Sequence, residues 1–359
     1  MSPMNGLALA YFLIKLATDV IQNPMTEQTL LAHLKASPYV LAPMAGITDR
    51  AFRTFMKEMG AGVVITELVS ATGLKYSSTK TKMLMAFDEV QRPFGIQLFG
   101  ETPEILAEAA KESQDFGADF IDLNFGCPVV KVVRKGGGAA ILRDLVNLRN
   151  ILRTVKQAIQ IPLTIKIRTG WDAESRNADE VVRVAQDEGI TWVTIHGRTR
   201  AQGYSGLSDW DYISWVKGQS QIPIIGNGDI NSAVVARSRL DQSKCDGVMI
   251  GRGCLKNPYI FHEALNGSAP LEKNYVALGR RLQELYYGYY PERYALIQLR
   301  KFAMWQSTGL PESSKFRGEI FSATSRKALD SVIESYFLRV QNLIKEDTSQ
   351  QAFLMGGHG

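Results

Sequence analysis

The sequence predicts an α/β fold, a (β/α)8 TIM barrel followed by a small all-helical C-terminal domain. Three observations carry this. Eight short apolar, β-branched runs recur, each ending on glycine or a polar residue. Helical patterns lie between most of them. Beyond about residue 268 the strand-like runs vanish and only i, i+3, i+4 apolar spacing remains.

Taken in order, the chain opens with ALAYFLIKLA (8–17), which is apolar. Lys15 interrupts it and no basic segment precedes it, which argues against a signal peptide. An extra helix or an upstream start is expected there, with Met25 an equally sensible beginning. The eight runs follow. They are YVLAPMAG (39–46), VVITELVSA (63–71), FGIQLFG (94–100), FIDLNFGCP (120–128), PLTIKIRTGW (162–171), WVTIHGRT (192–199), IPIIGNGDI (222–230) and GVMIGRG (247–253). Near-continuous apolar runs suit strands buried on both faces, as in a parallel sheet. Between them, TPEILAEAAKESQDFG (102–117) opens on a Thr cap with Pro next and closes on Gly; ADEVVRVAQDEG (178–189) also ends on Gly. Eight strand–helix units match a barrel. The alternative, a doubly wound sheet, usually has fewer strands and a GxGxxG after the first, which this chain lacks. YVALGRRLQELYYGYY (275–290), ERYALIQLRKFAMWQSTG (292–309) and SRKALDSVIESYFLRVQNLIKE (325–346) are then read as helices. The expected organisation is an unassigned extension (1–37), a barrel (38–267), a helical domain (268–347) and a tail (348–359).

Composition narrows the class. Apolar residues make up 45% and charged residues 21%, ordinary for a globular protein, and the net charge of +5 is compatible with a phosphate-rich partner without demanding one. Three cysteines, with no CxxC and no histidine at ligand spacing, argue against a disulfide framework or a metal site and for a reducing, cytoplasmic setting. No stretch reaches the ~20 apolar residues that span a bilayer. The oligomeric state stays open, with a monomer expected.

In a barrel the chemistry sits at the C-terminal ends of the strands. These offer Pro43, Met44 and Ala45; Gln97; Asn124 and Cys127; Lys166 and Arg168; His196; Asn227, Gly228 and Asp229; and Gly251 and Arg252. GNGD and GRG follow the seventh and eighth runs, the usual phosphate site of this fold. Their glycines let backbone N–H groups approach an anion and Arg252 adds a charged donor; tight turns alone are the bland alternative. Lys166 and Arg168 alternate on one strand, so both point into the mouth. A lysine there needs an anionic partner, such as a flavin ring or an internal ion pair with Glu67 or Asp122. His196 is either a ring or phosphate donor or a satisfied core histidine. The amides of Gln97 and Asn124 can read both edges of a heterocycle. Cys127, between Gly126 and Pro128, has a reference pKa near ~8.5, which suits a general acid better than a nucleophile. The alternatives for it are a small buried hydrophobe or a redox sensor; Cys245 and Cys254 look structural.

APMAGITDRAFR (42–53), TELVSA (66–71), IQLFG (96–100) and DLNFGCPVVKVVRKGGGAAILRD (122–144), in order, resemble the tRNA-dihydrouridine synthases. KIRTGW (166–171), TIHGRTR (194–200), IIGNGDI (224–230), GVMIGRG (247–253) and LRKFAMW (299–305) continue the resemblance, which is nearest to the bacterial B-type branch. The resemblance implies an FMN-binding barrel and a helical tRNA-binding domain. The implied reaction is reduction of the C5–C6 bond of specific tRNA uridines, with NADPH (or NADH) as electron donor. It implies that Pro43, Met44 and Ala45 cover the flavin, and that Gln97 and Lys166 contact its ring. It places Asn227, Gly228, Asp229, Gly251 and Arg252 at the ribityl phosphate, with His196 against flavin or phosphate. It gives Asn124 and Arg168 to the uracil, Cys127 the general-acid role, and Lys131, Arg134 and Lys135 to substrate phosphates. Arg280, Arg281, Arg293, Arg300, Lys301, Lys315, Arg317, Arg326 and Lys327 are expected to line a tRNA track. GGGAA departs from the commoner form of that loop. A flavin barrel acting on a free pyrimidine, and a tRNA-binding protein without catalysis, are the rival readings.

Overall fold

The computed structural model describes residues 24–76, 78–129, 133–134, 136–267 and 273–343. Lys131, Lys135, the junction at 268 and the tail lie outside them. The strands are β1 (Tyr39–Leu41), β2 (Val64–Ile65), β3 (Val69–Ser70), β4 (Phe94–Phe99), β5 (Phe120–Phe125), β6 (Leu163–Arg168), β7 (Trp192–His196), β8 (Ile224–Asn227) and β9 (Gly247–Ile250). All pairings are parallel, in the order β1-β9-β8-β7-β6-β5-β4-β2, with β3 also on β4. A bridge between Val40 and Val63 closes the ring. The barrel expected from the eight runs is therefore present.

The second run departs from expectation. It forms two short strands, because the chain leaves the ladder after Thr66, whose N still donates to Gly95 O at 3.0 Å. Thr66 Oγ1 accepts from Gln97 N at 3.0 Å, and the Glu67 carboxylate accepts from Gly46 N.

Alternation along each strand divides the packing. Leu163, Ile165 and Ile167 of β6 face outward, in one cluster with the surrounding helices. Phe120, Trp192, Ile225 and Met249 point inward, in a second cluster with Val40 and Val63. Phe120 and Trp192 meet edge to face at 5.3 Å. Gly95 makes room for this: a Cβ there would run into the Phe120 ring. Above this apolar floor stands a buried polar layer of Gln97, Asp122, Thr164 and Thr194. The barrel interior is thus dry below and polar toward the mouth, which is where a site can be built.

The unassigned extension proves to hold a helix, Glu27–Ala36, capped by Thr26 Oγ1 accepting from Thr29 N. Its Leu30 and Leu34 join the inner cluster and seal the barrel floor. The helix Pro103–Asp115 begins as expected, but Thr102 at its N-cap makes no side-chain capping bond. Four C-terminal helices follow, Tyr275–Tyr289, Glu292–Gln306, Ser313–Ser322 and Arg326–Val340. The third was not legible in sequence. They pack on the helix Arg50–Glu58 that follows β1 and on the short helix Gly253–Lys256 that follows β9.

Candidate active site at the barrel mouth

Register decides which side chains meet. Asn124 stands beside Lys166, Arg168 beside His196, and His196 beside Asn227 on neighbouring strands. The polar residues expected from sequence at the ends of β4 to β8 therefore share one layer.

A chain of hydrogen bonds runs through that layer to the thiol loop. Thr164 Oγ1 donates to Asp122 Oδ1 at 2.7 Å, and Gln97 Nε2 donates to Asp122 Oδ2 at 2.6 Å. Asn124 Nδ2 donates to Gln97 Oε1 at 2.9 Å. Asn124 Oδ1 then accepts from Cys127 N at 2.8 Å and Gly126 N at 3.2 Å. Asp122, an acceptor only, fixes which way each amide faces. The thiol loop is thus oriented from inside the barrel. Cys127 itself is half-buried, neither lost in the core nor free in solvent. Burial raises its pKa above the ordinary thiol value, against the pull of Val129 N–H, Arg168 and Lys166. At neutral pH it is a protonated donor.

Lys166 Nζ donates to Asn227 Oδ1 at 3.1 Å, and Asn227 Nδ2 donates to Met249 O at 2.8 Å. The ion pair with Glu67 or Asp122 weighed from sequence does not form; Asp122 is used by Gln97 and Thr164, and Glu67 by Gly46. Burial, then the nearby Arg168, lowers Lys166 to about 8, with Asp122 and Cys127 opposing. Asn227 is accordingly seen as the lysine's anchor rather than as a free donor.

Arg168 is 4% exposed and clamps loops together. It donates to Gly126 O at 2.9 Å, behind Cys127, and to Thr199 O and Gly203 O at 2.8 Å. His196 is held well below its usual value by burial first, then by Lys166, Arg168, Arg198 and Arg252. Its Nδ1 accepts from Arg198 N at 3.2 Å, so the proton of the neutral ring sits on Nε2.

On the other flank, Gly228 has φ +127°, and a Cβ there would run into the Ser208 hydroxyl. Asp229, at φ +54°, directs its carboxylate to Arg198 at 2.9 Å and to Ser208 N at 2.8 Å. What Gly228 and Asp229 leave for an anion is backbone N–H, not a side chain. Gly251 lies against Ala42 and Met44, which brings the 43–45 loop beside the GRG loop. Thr48 Oγ1 accepts from Met44 N at 2.9 Å and steadies that loop. Arg252 stacks 5.1 Å from the ring of Tyr204, and Arg168 5.9 Å from it.

Asp122, Arg198, Ser208 and Tyr204 were not singled out as site residues from sequence. Arg198, inside TIHGRTR, and Asp122, which opens DLNFGCP and was weighed only as an ion-pair partner of Lys166, carried a signal; Ser208 and Tyr204 did not. Arg134 is exposed after the thiol loop. The basic track expected on the helices is largely engaged: Arg280 pairs with Glu334, Arg281 with Glu58 and Glu284, and Arg326 with Asp330. Arg300 donates to Ile320 O and Ala323 O.

Among the described residues no group of His, Cys, Asp and Glu could hold a metal ion, and no helix is long and apolar enough to cross a membrane.

The family described as dihydrouridine synthase (Dus) matches residues 40–342. A probable tRNA-dihydrouridine synthase of Rickettsia bellii is 38% identical, covering 84% of this chain and 95% of the relative. A tRNA-dihydrouridine synthase B of Pseudomonas aeruginosa is 36% identical, over 84% and 93%. Among solved structures, the 6-hydroxypseudooxynicotine amine oxidase of Pseudomonas geniculata N1 shares the barrel fold. Its TM-score is 0.51 and its identity 15%; the match covers 66% of this chain and half of that one. The chain belongs to the dihydrouridine synthase family of oxidoreductases and within it is similar to the B type.

Proposed function

We propose that this protein is a tRNA-dihydrouridine synthase that uses FMN and NADPH (or NADH) to reduce the C5–C6 double bond of specific uridines in tRNA. The observation that carries the reading is a protonated Cys127 and a partner-poor Lys166 sharing one positive pocket. The donor set fits a flavin mononucleotide. Lys166, Arg168, Arg198 and Arg252 all bear on His196, and the acids Asp122, Asp229 and Glu67 are already engaged. Such an excess of cations favours an anionic ring and a phosphate. Lys166 would face the ring, and the Gly228, Asp229, Gly251 and Arg252 loops would hold the phosphate.

When bound, FMN supplies the hydride that reaches uracil C6, and NADPH or NADH supplies its electrons. Negative charge then develops on uracil across C5 and O4. Cys127 gives its Sγ proton to C5, completing the reduced bond. Val129 N–H, Arg168 and Lys166 favour the thiolate left behind until solvent reprotonates it. Asn124 and Arg168, whose polar atoms are committed to the loops around the thiol, would act on an incoming uracil chiefly by holding that loop in place. A stacked uridine does not reach this depth, so the base must be extruded.

Cys127→Ala tests the assignment. Flavin content and tRNA binding should stay, while single-turnover dihydrouridine formation falls ~10²–10⁴-fold, the usual worth of a general acid. An unchanged rate would falsify the role. Position-resolved dihydrouridine mapping of tRNA from cells lacking the gene tests the substrate; tRNA with its dihydrouridine intact would remove it.

A further inference from the structure

Two guanidinium groups lie against the ring of Trp171 at the rim of the mouth. Arg143 is 4.9 Å and Arg200 4.5 Å from its centroid. They arrive from separate segments: Arg143 ends the 3-10 turn Gly138–Arg143, Trp171 follows β6 and Arg200 follows β7. Arg200 N donates to Gly170 O at 2.9 Å and Ala201 N to Trp171 O at 2.8 Å, which locks the last two segments together.

Like charges gathered on one ring repel each other unless something answers them. Among the described residues neither guanidinium has an ion-pair partner, and Arg200 Nε is buried without a hydrogen bond. Asp172 feels Arg143, but its Oδ1 is taken by Ser175 N and Oγ at 2.9 and 2.6 Å. Stacking holds each planar fork still while its N–H edges stay available, the form in which arginine takes phosphate best.

Position says which phosphate. The helical domain packs beside β1 and β9, whereas β6 and β7 lie across the ring from them. An RNA docked on those helices and reaching over the mouth to Cys127 meets Trp171 on the far side. We propose that Arg143, Trp171 and Arg200 form a phosphodiester-binding rung that grips the substrate RNA beside the extruded base. This rests on tRNA being the substrate.

The test is equilibrium binding of unmodified tRNA by the full-length holoprotein across ~50–200 mM salt. The variants are Arg143→Gln with Arg200→Gln, and the exposed Arg143→Glu alone. Each lost phosphate contact should flatten the plot of log K against log salt by about 0.7–0.9. The double variant should bind roughly tenfold or more weakly at low salt, with flavin content and the KM for NADPH unchanged. Arg143→Glu, at an exposed position whose one described ring contact is with Trp171, should weaken binding in the same direction. Slopes and affinities equal to wild type in both variants would overturn the proposal. So would a raised KM for NADPH with tRNA binding untouched, since the rung would then belong to the nucleotide donor. If the wild-type protein itself bound no tRNA, the substrate assignment would fail first and take the rung with it.

Discussion

Asn124 divides its amide between two tasks. Its nitrogen donates to Gln97, and its oxygen accepts from the Gly126 and Cys127 amides. Asn124→Ala removes both acceptor bonds of the thiol loop. At roughly 1 kcal/mol per bond, single-turnover reduction should fall about 10- to 100-fold with flavin content intact. A loss of flavin with no loss of rate per flavin would show that the residue serves the cofactor only. Cys127 offers a pH test of its own. Its folded pKa lies above the ordinary value, so the thiolate is scarce at neutral pH and grows only at pH above the ordinary thiol range. Iodoacetamide labelling of Cys127, followed by peptide mass, should therefore be slow at pH 7 and still climbing at pH 9. A plateau reached by pH 8 would contradict the proton-donor state. The positions of Cys127, Lys166 and His196 at the mouth were legible, because alternation and strand ends fix them. The bonds of Asp122 and Arg198 were not, since a buried acid or arginine in a strand run does not announce its partner.

Among the elements, the floor helix Glu27–Ala36 shows what a short amphipathic segment adds to a barrel. EQTLLAHLKA presents Leu30 and Leu34 four apart, and both are fully or almost fully buried against the inner cluster. Replacing Leu34 with Ala leaves a cavity under the barrel and should cost about 2–5 kcal/mol. Urea midpoints decide: Leu34→Ala should unfold at lower urea than wild type, and an equal midpoint would mean that the helix only rests on the floor. This helix was not legible in sequence because only Leu30 and Leu34 of its residues are buried, too few to set a clear apolar period. The helix Ser313–Ser322 was not legible either: only Phe316 and Ile320 of it are buried, and its N-cap, Glu312, makes no side-chain capping bond. Seven of the eight strand runs were legible as single strands, since runs buried on both faces carry their own signature. The run 63–71 broke at Glu67, whose carboxylate answers a backbone N–H at Gly46, a long-range contact that no local pattern contains.

Across the whole molecule, the joint between helical domain and barrel combines an apolar contact, Phe52 stacked on Phe302 at 4.7 Å, and the Arg281–Glu58 ion pair with a buried polar centre at one carboxylate. Asp49 caps the helix Arg50–Glu58 through Phe52 N at 3.0 Å. It also accepts from Tyr286 Oη at 3.0 Å and Tyr294 Oη at 3.1 Å, while Arg50 N donates to Tyr290 Oη at 3.1 Å. Burial raises the Asp49 pKa above 3.8, against the pull of Phe52 N–H, Tyr286, Arg53 and Tyr294. A carboxyl raised in this way lends stability that is fully present below its unfolded value and is lost as pH rises through the folded one. At neutral pH the buried anion is therefore a standing cost, which the two hydroxyls offset. Tyr286→Phe with Tyr294→Phe removes two hydrogen bonds to a charged group, about 1.5–3 kcal/mol each, and pushes the carboxyl higher still. Chemical unfolding should show a deficit of about 3–6 kcal/mol at pH 8 and a smaller one at pH 5, where more of the carboxyl is protonated. An equal deficit at both, or a larger one at pH 5, would mean that the hydroxyls do not act on ionised Asp49. The same variant tests the reach of the joint. Asp49 stands next to Thr48, which holds Met44, so a loosened joint should also weaken flavin retention, while Cys127 keeps its slow labelling at pH 7.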